Sequence, residues 1–96
     1  MKKGYWIVQS DVSDFEQFKE YLARTPAALA KYQGKVLIKA GNSQVVEGTS
    51  RPRNTVIEFP SYEQALACWQ STEYQAAREF RLNVAELDIV VIEGTD

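Results

Sequence analysis

The sequence predicts an α+β fold in which helices cover one face of a small sheet. Three observations support this prediction. Short β-branched and aromatic runs alternate with amphipathic helical patterns, in the order strand, helix, strand pair, strand, helix, strand. The 96 residues suffice for one domain, which we expect to span residues 1–96. The connections are short, so with right-handed crossovers this order gives the β-α-β-β-α-β arrangement of a ferredoxin-like sheet.

The chain begins with a strand and a helix. Residues 4–10 (GYWIVQS) predict the first strand because they are aromatic and β-branched and precede a polar break. Ser13 and Glu16 have the spacing of a capping box, which predicts that a helix starts there. The apolar residues on one face of this helix are Phe15, Phe18 and Leu22.

Proline and glycine divide the next part of the chain. Because proline disrupts a helix interior but suits a first turn, Pro26 predicts a break at Arg24-Thr25. A second short helix should then run over residues 26–32. Extended segments are predicted at 35–39, 44–47 and 54–59, separated by a turn at 40–43 and a loop at 48–54.

The third part of the chain contains the clearest amphipathic helix. Ser61 and Gln64 form a second capping-box pattern. The apolar face that follows consists of Tyr62, Ala65, Leu66 and Trp69. Ser71-Thr72 interrupts this helix and caps another, from residue 73 to about 84, before a final strand at 88–93.

The first and last strands are apolar on both faces. They read Tyr5-Trp6-Ile7-Val8 and Ile89-Val90-Val91-Ile92, whereas a strand with one face in water should alternate. Two helical segments can cover only one face of a four-stranded sheet. We therefore expect a second copy of the chain to cover the other face with two-fold symmetry, which gives a homodimer that buries about 800 Å² per subunit.

Composition excludes several kinds of chemistry. The chain has no histidine and one cysteine, Cys68, which removes histidine-dependent nucleophiles, histidine-ligated zinc and intrachain disulfides. A net charge of -2 lacks the basic excess of a non-specific nucleic-acid binder. The apolar runs are too short for a signal peptide or a membrane span. We expect a cytoplasmic protein with a reduced, unreactive Cys68, without cofactor or metal, that binds neither nucleic acid nor membrane.

Several short motifs, in this order and spacing, resemble a bacterial protein family. They are Gly4-Tyr5-Trp6, residues 28–35 (ALAKYQGK), Glu47-Gly48, Arg51-Pro52-Arg53, residues 56–61 (VIEFPS), Ala67-Cys68-Trp69 and residues 71–75 (STEYQ). Together they are similar to the domain-of-unknown-function family 1330 over nearly the whole chain. The resemblance implies the dimeric α/β-barrel superfamily, in which two ferredoxin-like sheets close on one another. It implies no activity, because that superfamily includes cofactor-free monooxygenases, isomerases and small-ligand sensing domains.

Glu58 is the main candidate for proton transfer. It lies within an otherwise apolar central strand, so we expect it to be partly buried. A buried carboxylate needs a cation, hydrogen bonds or a proton. The arginines considered as partners are Arg51, Arg53, Arg78 and Arg81. The functional interpretation is a general base or a ligand anchor, and the alternative is a structural ion pair.

Other polar and aromatic residues complete the candidate site. Asn54 or Tyr32 would stabilise an enolate-like charge beside Glu58. The candidates for ligand binding are Arg53, Arg51, Arg81 and Tyr5. The alternatives are salt bridges between subunits for the loop arginines and core packing for the aromatic residues.

Three functions remain open at this level. One is a cofactor-independent enzyme that acts on a small organic acid by proton transfer, oxygenation or isomerisation. Another is a non-catalytic module that binds or senses a small ligand. The third is a purely structural or interaction dimer, for which we expect a fully packed interior without a cavity.

Overall fold

The computed structural model describes residues 2–95 and confirms the ferredoxin-like α+β prediction. The elements are β1 (Gly4–Val12), α1 (Phe15–Lys31), β2 (Lys35–Lys39), β3 (Arg53–Phe59), α2 (Tyr62–Gln70), α3 (Thr72–Arg78) and β4 (Ala85–Glu93). The strands form one antiparallel sheet in the order β2-β3-β1-β4. The two central strands are therefore β1 and β3.

The core lies between the sheet and the three helices. Trp6 and Phe59, from the two central strands, are each 1% exposed, and their ring centroids are 5.3 Å apart. The Trp6 indole Nε1 also donates a hydrogen bond to the Ala65 carbonyl of α2 at 2.9 Å. The helices contribute Phe18, Tyr21, Ala28, Leu29, Ala65, Cys68, Tyr74 and Ala77 to this core. Within residues 2–95, no helix lies on the opposite face of the sheet, which we call the open face.

The predicted break in the first helix is wrong, because α1 continues through Pro26. Thr25 lies inside the helix and is buried, and its hydroxyl donates to the Tyr21 carbonyl at 2.6 Å. Burial of one continuous face of α1 in the core, where the helix packs mainly against α3, outweighs the hydrogen bond that proline removes. The predicted cap also shifts by one residue. Asp14 accepts from the Gln17 N–H at 3.2 Å, whereas the Ser13 hydroxyl donates to Val84.

The predicted short strand at residues 44–47 is absent. This segment lies in the connection between β2 and β3, where Val45 is 50% exposed and Val46 is 88% exposed. Strands β1 and β2 occupy both edges of β3, so the segment has no place beside it. The two valines favour an extended backbone, but the segment does not form a strand of the sheet without such backbone pairing.

The last helix is shorter than predicted. It ends at Arg78, and the chain turns through residues 79–84, where Asn83 has a φ of 73°. The final strand consequently starts at Ala85, three residues before the predicted start. The two predicted serine caps are confirmed. Ser61 accepts from the Gln64 N–H and Ser71 accepts from the Tyr74 N–H, each at 3.1 Å.

Among residues 2–95, no helix is long and apolar enough to cross a membrane.

Candidate functional site

A cavity of about 230 Å³ lies between α1 and the sheet, and we call it the α1 cavity. Its walls are mostly apolar and include Trp6, Val8 and Ile57 of the sheet and Phe18, Leu22 and Leu29 of α1. The polar residues that line it, apart from the phenol of Tyr21, are Ser10, Thr25, Lys39, Arg53 and Thr55. The lining therefore includes two cations and three aliphatic hydroxyls but no carboxylate.

Arg53 is the sequence-predicted site residue that lines the α1 cavity. Its guanidinium carbon is 5.3 Å from the ring centroid of Phe15 and 5.8 Å from that of Phe18, so aromatic faces hold the cation. Its Nε is buried without a hydrogen-bond partner, and within residues 2–95 it takes part in no ion pair. Arg53 is thus a cation at the cavity wall that lacks an anion.

Lys39 is a second cation at the α1 cavity, and it is not among the site residues predicted from the sequence. Its position depends on a bulge in β2. Lys35 lies opposite Glu58 and Lys39 lies opposite Thr55, with a shift of register between Val36 and Ile38. Regular alternation would put both lysines on the same face, but the bulge turns Lys39 to the helix side. No signal in the sequence marks this bulge.

Glu58 lies on the open face, on the other side of the sheet from Arg53. Its Oε1 accepts from Lys3 Nζ and its Oε2 accepts from the Tyr5 hydroxyl, each at 3.2 Å. The Glu58 side chain is 19% exposed, so the predicted partial burial is confirmed. The predicted arginine partners are wrong, because the cation is Lys3. Burial and the hydrogen bond to the carboxylate raise the pKa of Tyr5.

Three other candidates lie outside the α1 cavity. Arg51 donates to Asp88 at 2.8 Å and to Glu86 at 3.3 Å, so it forms an ion-pair network with β4 of its own chain. Asn54 is next to Arg53 on β3 and points to the open face, where it lies opposite Gln9. Tyr32 ends α1 and packs against the edge of the core. The structure therefore does not bring Glu58, Asn54 or Tyr32 together with Arg53.

Arg81 belongs to a buried polar group with two tyrosines. It is 6% exposed, and its Nη2 donates to the Tyr74 hydroxyl at 3.3 Å. The hydroxyls of Tyr74 and Tyr21 are 2.9 Å apart. Burial is the main cause that raises the pKa of Tyr21 above its usual value. Because Tyr21 also lines the α1 cavity, this group connects the cavity wall with the end of α3.

Cys68 is a buried packing residue. It is fully buried in α2, and desolvation raises its thiol pKa to about 12. Over the described part of the chain, no three acidic or cysteine side chains form a cluster with metal-ligand geometry. The arrangement at the α1 cavity can hold an anionic group, but it has no carboxylate or thiolate that would accept a proton there.

Comparison with solved structures shows the same fold. A protein of unknown function from Rhodopseudomonas palustris superposes with a TM-score of 0.79 at 11% identity, covering 99% of this chain and 84% of that chain. An ethyl tert-butyl ether d (ethd) family protein from Bacillus halodurans has a TM-score of 0.56 at 17% identity, with coverages of 99% and 100%. A dimeric ferredoxin-like protein of unknown function from Thermobifida fusca has a TM-score of 0.55 at 12% identity, with coverages of 99% and 92%. Identities this low establish the fold alone.

The search of curated proteins returned no match. The family model does match, and it covers residues 3–95, which confirms the resemblance carried by the short motifs. The chain therefore belongs to the family described as domain of unknown function, DUF1330.

Proposed function

We propose that this protein is a cytoplasmic homodimer that binds a small organic acid in the α1 cavity without converting it. The observation that carries the proposal is the presence of Arg53 and Lys39 in a cavity whose other walls are apolar or hydroxylic. A free, buried Cys68 thiol suits a reducing compartment.

The volume of the α1 cavity fits a small molecule. By the same measure of volume, one water needs roughly 10–15 Å³, so a cavity of about 230 Å³ has room for a compact organic ligand. Apolar side chains dominate the walls, and a few polar groups converge on the space. This composition is typical of sites that orient a small ligand by one charged group.

The charges at the α1 cavity favour an acid as the ligand. An arginine in apolar surroundings is costly unless an anion or hydrogen bonds compensate its lost hydration. A carboxylate can accept two parallel hydrogen bonds from a guanidinium group, and Lys39 adds a second positive charge. Among the residues that line this space no carboxylate competes for Arg53. The lack of a nearby carboxylate base favours binding over catalysis.

The open face supports the homodimer. A row of apolar side chains crosses all four strands there, formed by Ile38, Val56, Ile7 and Val90. Ile38 is 50% exposed and Val90 is 54% exposed in the single chain. Four strands at about 4.8 Å spacing and about eight residues of length give a flat area of roughly 500 Å², which is the scale of one side of a stable interface. A second copy buries this row against its own equivalent row.

Ligand binding can be tested with pairs of acids and neutral analogues. Benzoate and hexanoate, with benzamide and hexanol as their neutral analogues, would be titrated while the melting temperature is followed. We expect the acids alone to stabilise the protein and Arg53→Gln to weaken their binding about tenfold. Arg24→Gln removes an exposed arginine outside the α1 cavity and serves as the matched control.

Two results would contradict the binding proposal. One is equal stabilisation by the amide and the acid, which would mean that Arg53 recognises no charge. The other is consumption of the acid during overnight incubation, measured by proton NMR, which would mean that the site is catalytic.

The homodimer has its own test. Light scattering should give twice the chain mass of 10.9 kDa, and Ile7→Lys should give monomers because it puts a charge into the apolar row. Phe80→Lys is the matched control, since Phe80 is 40% exposed and Ile7 is 39% exposed, but Phe80 follows α3 on the helix side. A wild-type monomer at micromolar concentration would refute the dimer.

A second proposal places proton transfer at Glu58 on the open face. It is supported by Lys3 and Tyr5, which converge on the Glu58 carboxylate at 3.2 Å each, and by Asn54 on the same face. A metabolite screen with wild type, Glu58→Gln and the exposed control Glu63→Gln would test it. Turnover that is unchanged in Glu58→Gln would eliminate this mechanism.

A further inference from the structure

We propose that a second cavity, separate from the α1 cavity, binds an oxyanion through Arg78 and Arg81. This space, which we call the β4 cavity, has a volume of about 400 Å³. It is lined by Trp69 of α2, by Arg78 and Arg81 near the end of α3, and by residues 87–90 of β4. Its only lining residue in common with the α1 cavity is Leu87.

The two arginines carry the argument. Arg81 is 6% exposed, yet its Nε is buried without a hydrogen-bond partner. The Nε of Arg78 is also buried without a partner, and its guanidinium carbon is 5.8 Å from the Trp69 ring centroid. In the chain from residue 2 to residue 95, neither arginine takes part in an ion pair. Arg81 is buried and Arg78 is partly buried, and two such cations at one cavity are unfavourable until an anion reaches both of them.

One carboxylate does line the β4 cavity, but it has another partner. Asp88 Oδ2 accepts from Arg51 Nε at 2.8 Å, in the network that Glu86 completes. Asp88 and Glu86 thus share the single cation of Arg51, and within residues 2–95 Asp88 forms no ion pair with Arg78 or Arg81. The positive charges of Arg78 and Arg81 remain for a ligand.

The chemistry of the ligand follows from the guanidinium group. Arginine presents paired N–H donors in a plane, which match the oxygens of a phosphate or a carboxylate. Arg81 is also fixed in place, because its Nη2 donates to the buried Tyr74 hydroxyl at 3.3 Å. A donor that is held in this way loses little side-chain entropy when the anion binds. The shared feature of the ligands is thus an oxyanion, inorganic or attached to an organic molecule.

The test uses inorganic phosphate first. Sodium phosphate would be titrated into the protein in Hepes, with sodium chloride keeping the ionic strength constant. Melting temperature and tryptophan fluorescence would be followed. We expect saturable binding that falls about tenfold in Arg78→Gln and in Arg81→Gln. Arg24→Gln removes an exposed arginine that lines neither cavity, and it should change phosphate binding by less than about twofold.

A second arm separates inorganic from organic oxyanions. Benzoate would be titrated into Arg53→Gln, so that the α1 cavity does not contribute to the signal. If phosphate alone binds, or if both anions bind, and this binding depends on Arg78, the result supports the site and identifies which oxyanion it binds. Binding of benzoate alone that depends on Arg78 identifies an organic carboxylate and also supports it.

Three results would overturn this inference. One is that neither anion stabilises the protein more than chloride does. Another is that Arg24→Gln weakens binding as much as Arg78→Gln, which would indicate general charge attraction. The third is full binding in Arg78→Gln, and this variant decides the question if Arg81→Gln fails to fold. Since benzoate binding is measured in Arg53→Gln and phosphate binding is judged by its dependence on Arg78, failure of the α1 cavity proposal leaves this result interpretable.

Discussion

The Tyr74 hydroxyl lies at the centre of a buried polar group, and its removal has a calculable cost. The ring is fully buried beneath Trp6, with 4.9 Å between the ring centroids. Its hydroxyl is 2.9 Å from the Tyr21 hydroxyl and accepts from Arg81 Nη2 at 3.3 Å. Tyr74→Phe keeps the ring and its packing but leaves both neighbours without this partner.

The expected loss follows from the number of partners left unsatisfied. A buried polar group that loses its hydrogen-bond partner costs about 1–3 kcal/mol. Because Tyr74→Phe affects two such groups, we expect the free energy of unfolding to fall by about 2 kcal/mol. For a domain of this size, that corresponds to a decrease in melting temperature of roughly 8–16 °C. Tyr21→Phe should cost less, about 1 kcal/mol, because Tyr74 then keeps the hydrogen bond from Arg81.

Urea unfolding followed by circular dichroism measures both losses. Tyr62→Phe is the matched control, because Tyr62 is only partly buried, and we expect a change within about 0.5 kcal/mol. The double variant should be less destabilised than the sum of the two single variants, since both remove one shared interaction. A Tyr74→Phe protein within about 0.5 kcal/mol of wild type, with an unchanged urea slope, would refute the reasoning.

Three further predictions concern single sites. Lys31 lowers the pKa of Glu73 through their hydrogen bond, so this pair should stabilise the fold at neutral pH and lose its effect as the Glu73 carboxylate protonates in acid. The stability difference between wild type and Glu73→Gln should therefore begin to shrink near the ordinary glutamate pKa of about 4.3 and vanish only below the lowered pKa of Glu73 in the folded protein; a constant difference would contradict the pairing. The Cys68 thiol, with a pKa of about 12, should react with Ellman's reagent at pH 8 only after the protein is unfolded in guanidinium. Rapid reaction in the native protein would contradict the burial of this thiol. Gly4→Ala should destabilise the protein by about 1–3 kcal/mol in thermal unfolding, because the added Cβ would lie 2.4 Å from the Ser61 backbone oxygen. Gly41→Ala is the control, since a Cβ there has open space around it. Equal stabilities of the two variants would refute the clash.

Local chemistry was sufficient to predict the four strands of the sheet and two of the helix starts. The serines at positions 61 and 71 accept hydrogen bonds from backbone N–H groups at helix starts, a property that depends only on residues three positions apart. The β-branched runs of β1 and β4 pair as antiparallel strands, as their composition suggested. The partial burial of Glu58 also followed from its apolar neighbours in sequence.

Local chemistry failed where packing overrides it. Pro26 normally ends a helix, but the face that contains Thr25 and Leu29 is buried in the core against the other helices, which keeps α1 continuous. Residues 44–47 contain two β-branched valines, which favour a strand, but the segment has no partner strand. In both cases the structure is decided by contacts between residues that are distant in sequence. A pattern of neighbouring residues contains no information about such contacts.

The sequence by itself determined the fold, the family and the types of side chain available for function: carboxylates, arginines, amides and phenols, without histidine. Only the tertiary structure decided which of them share a space. On β3 the alternation places Arg53 towards the helices and Glu58 towards the open face, while a bulge in β2 turns Lys39 to the side of Arg53. Sequence alone does not reveal this, because one residue of register reverses the face of every side chain in a strand, and register is set by pairing with the rest of the sheet.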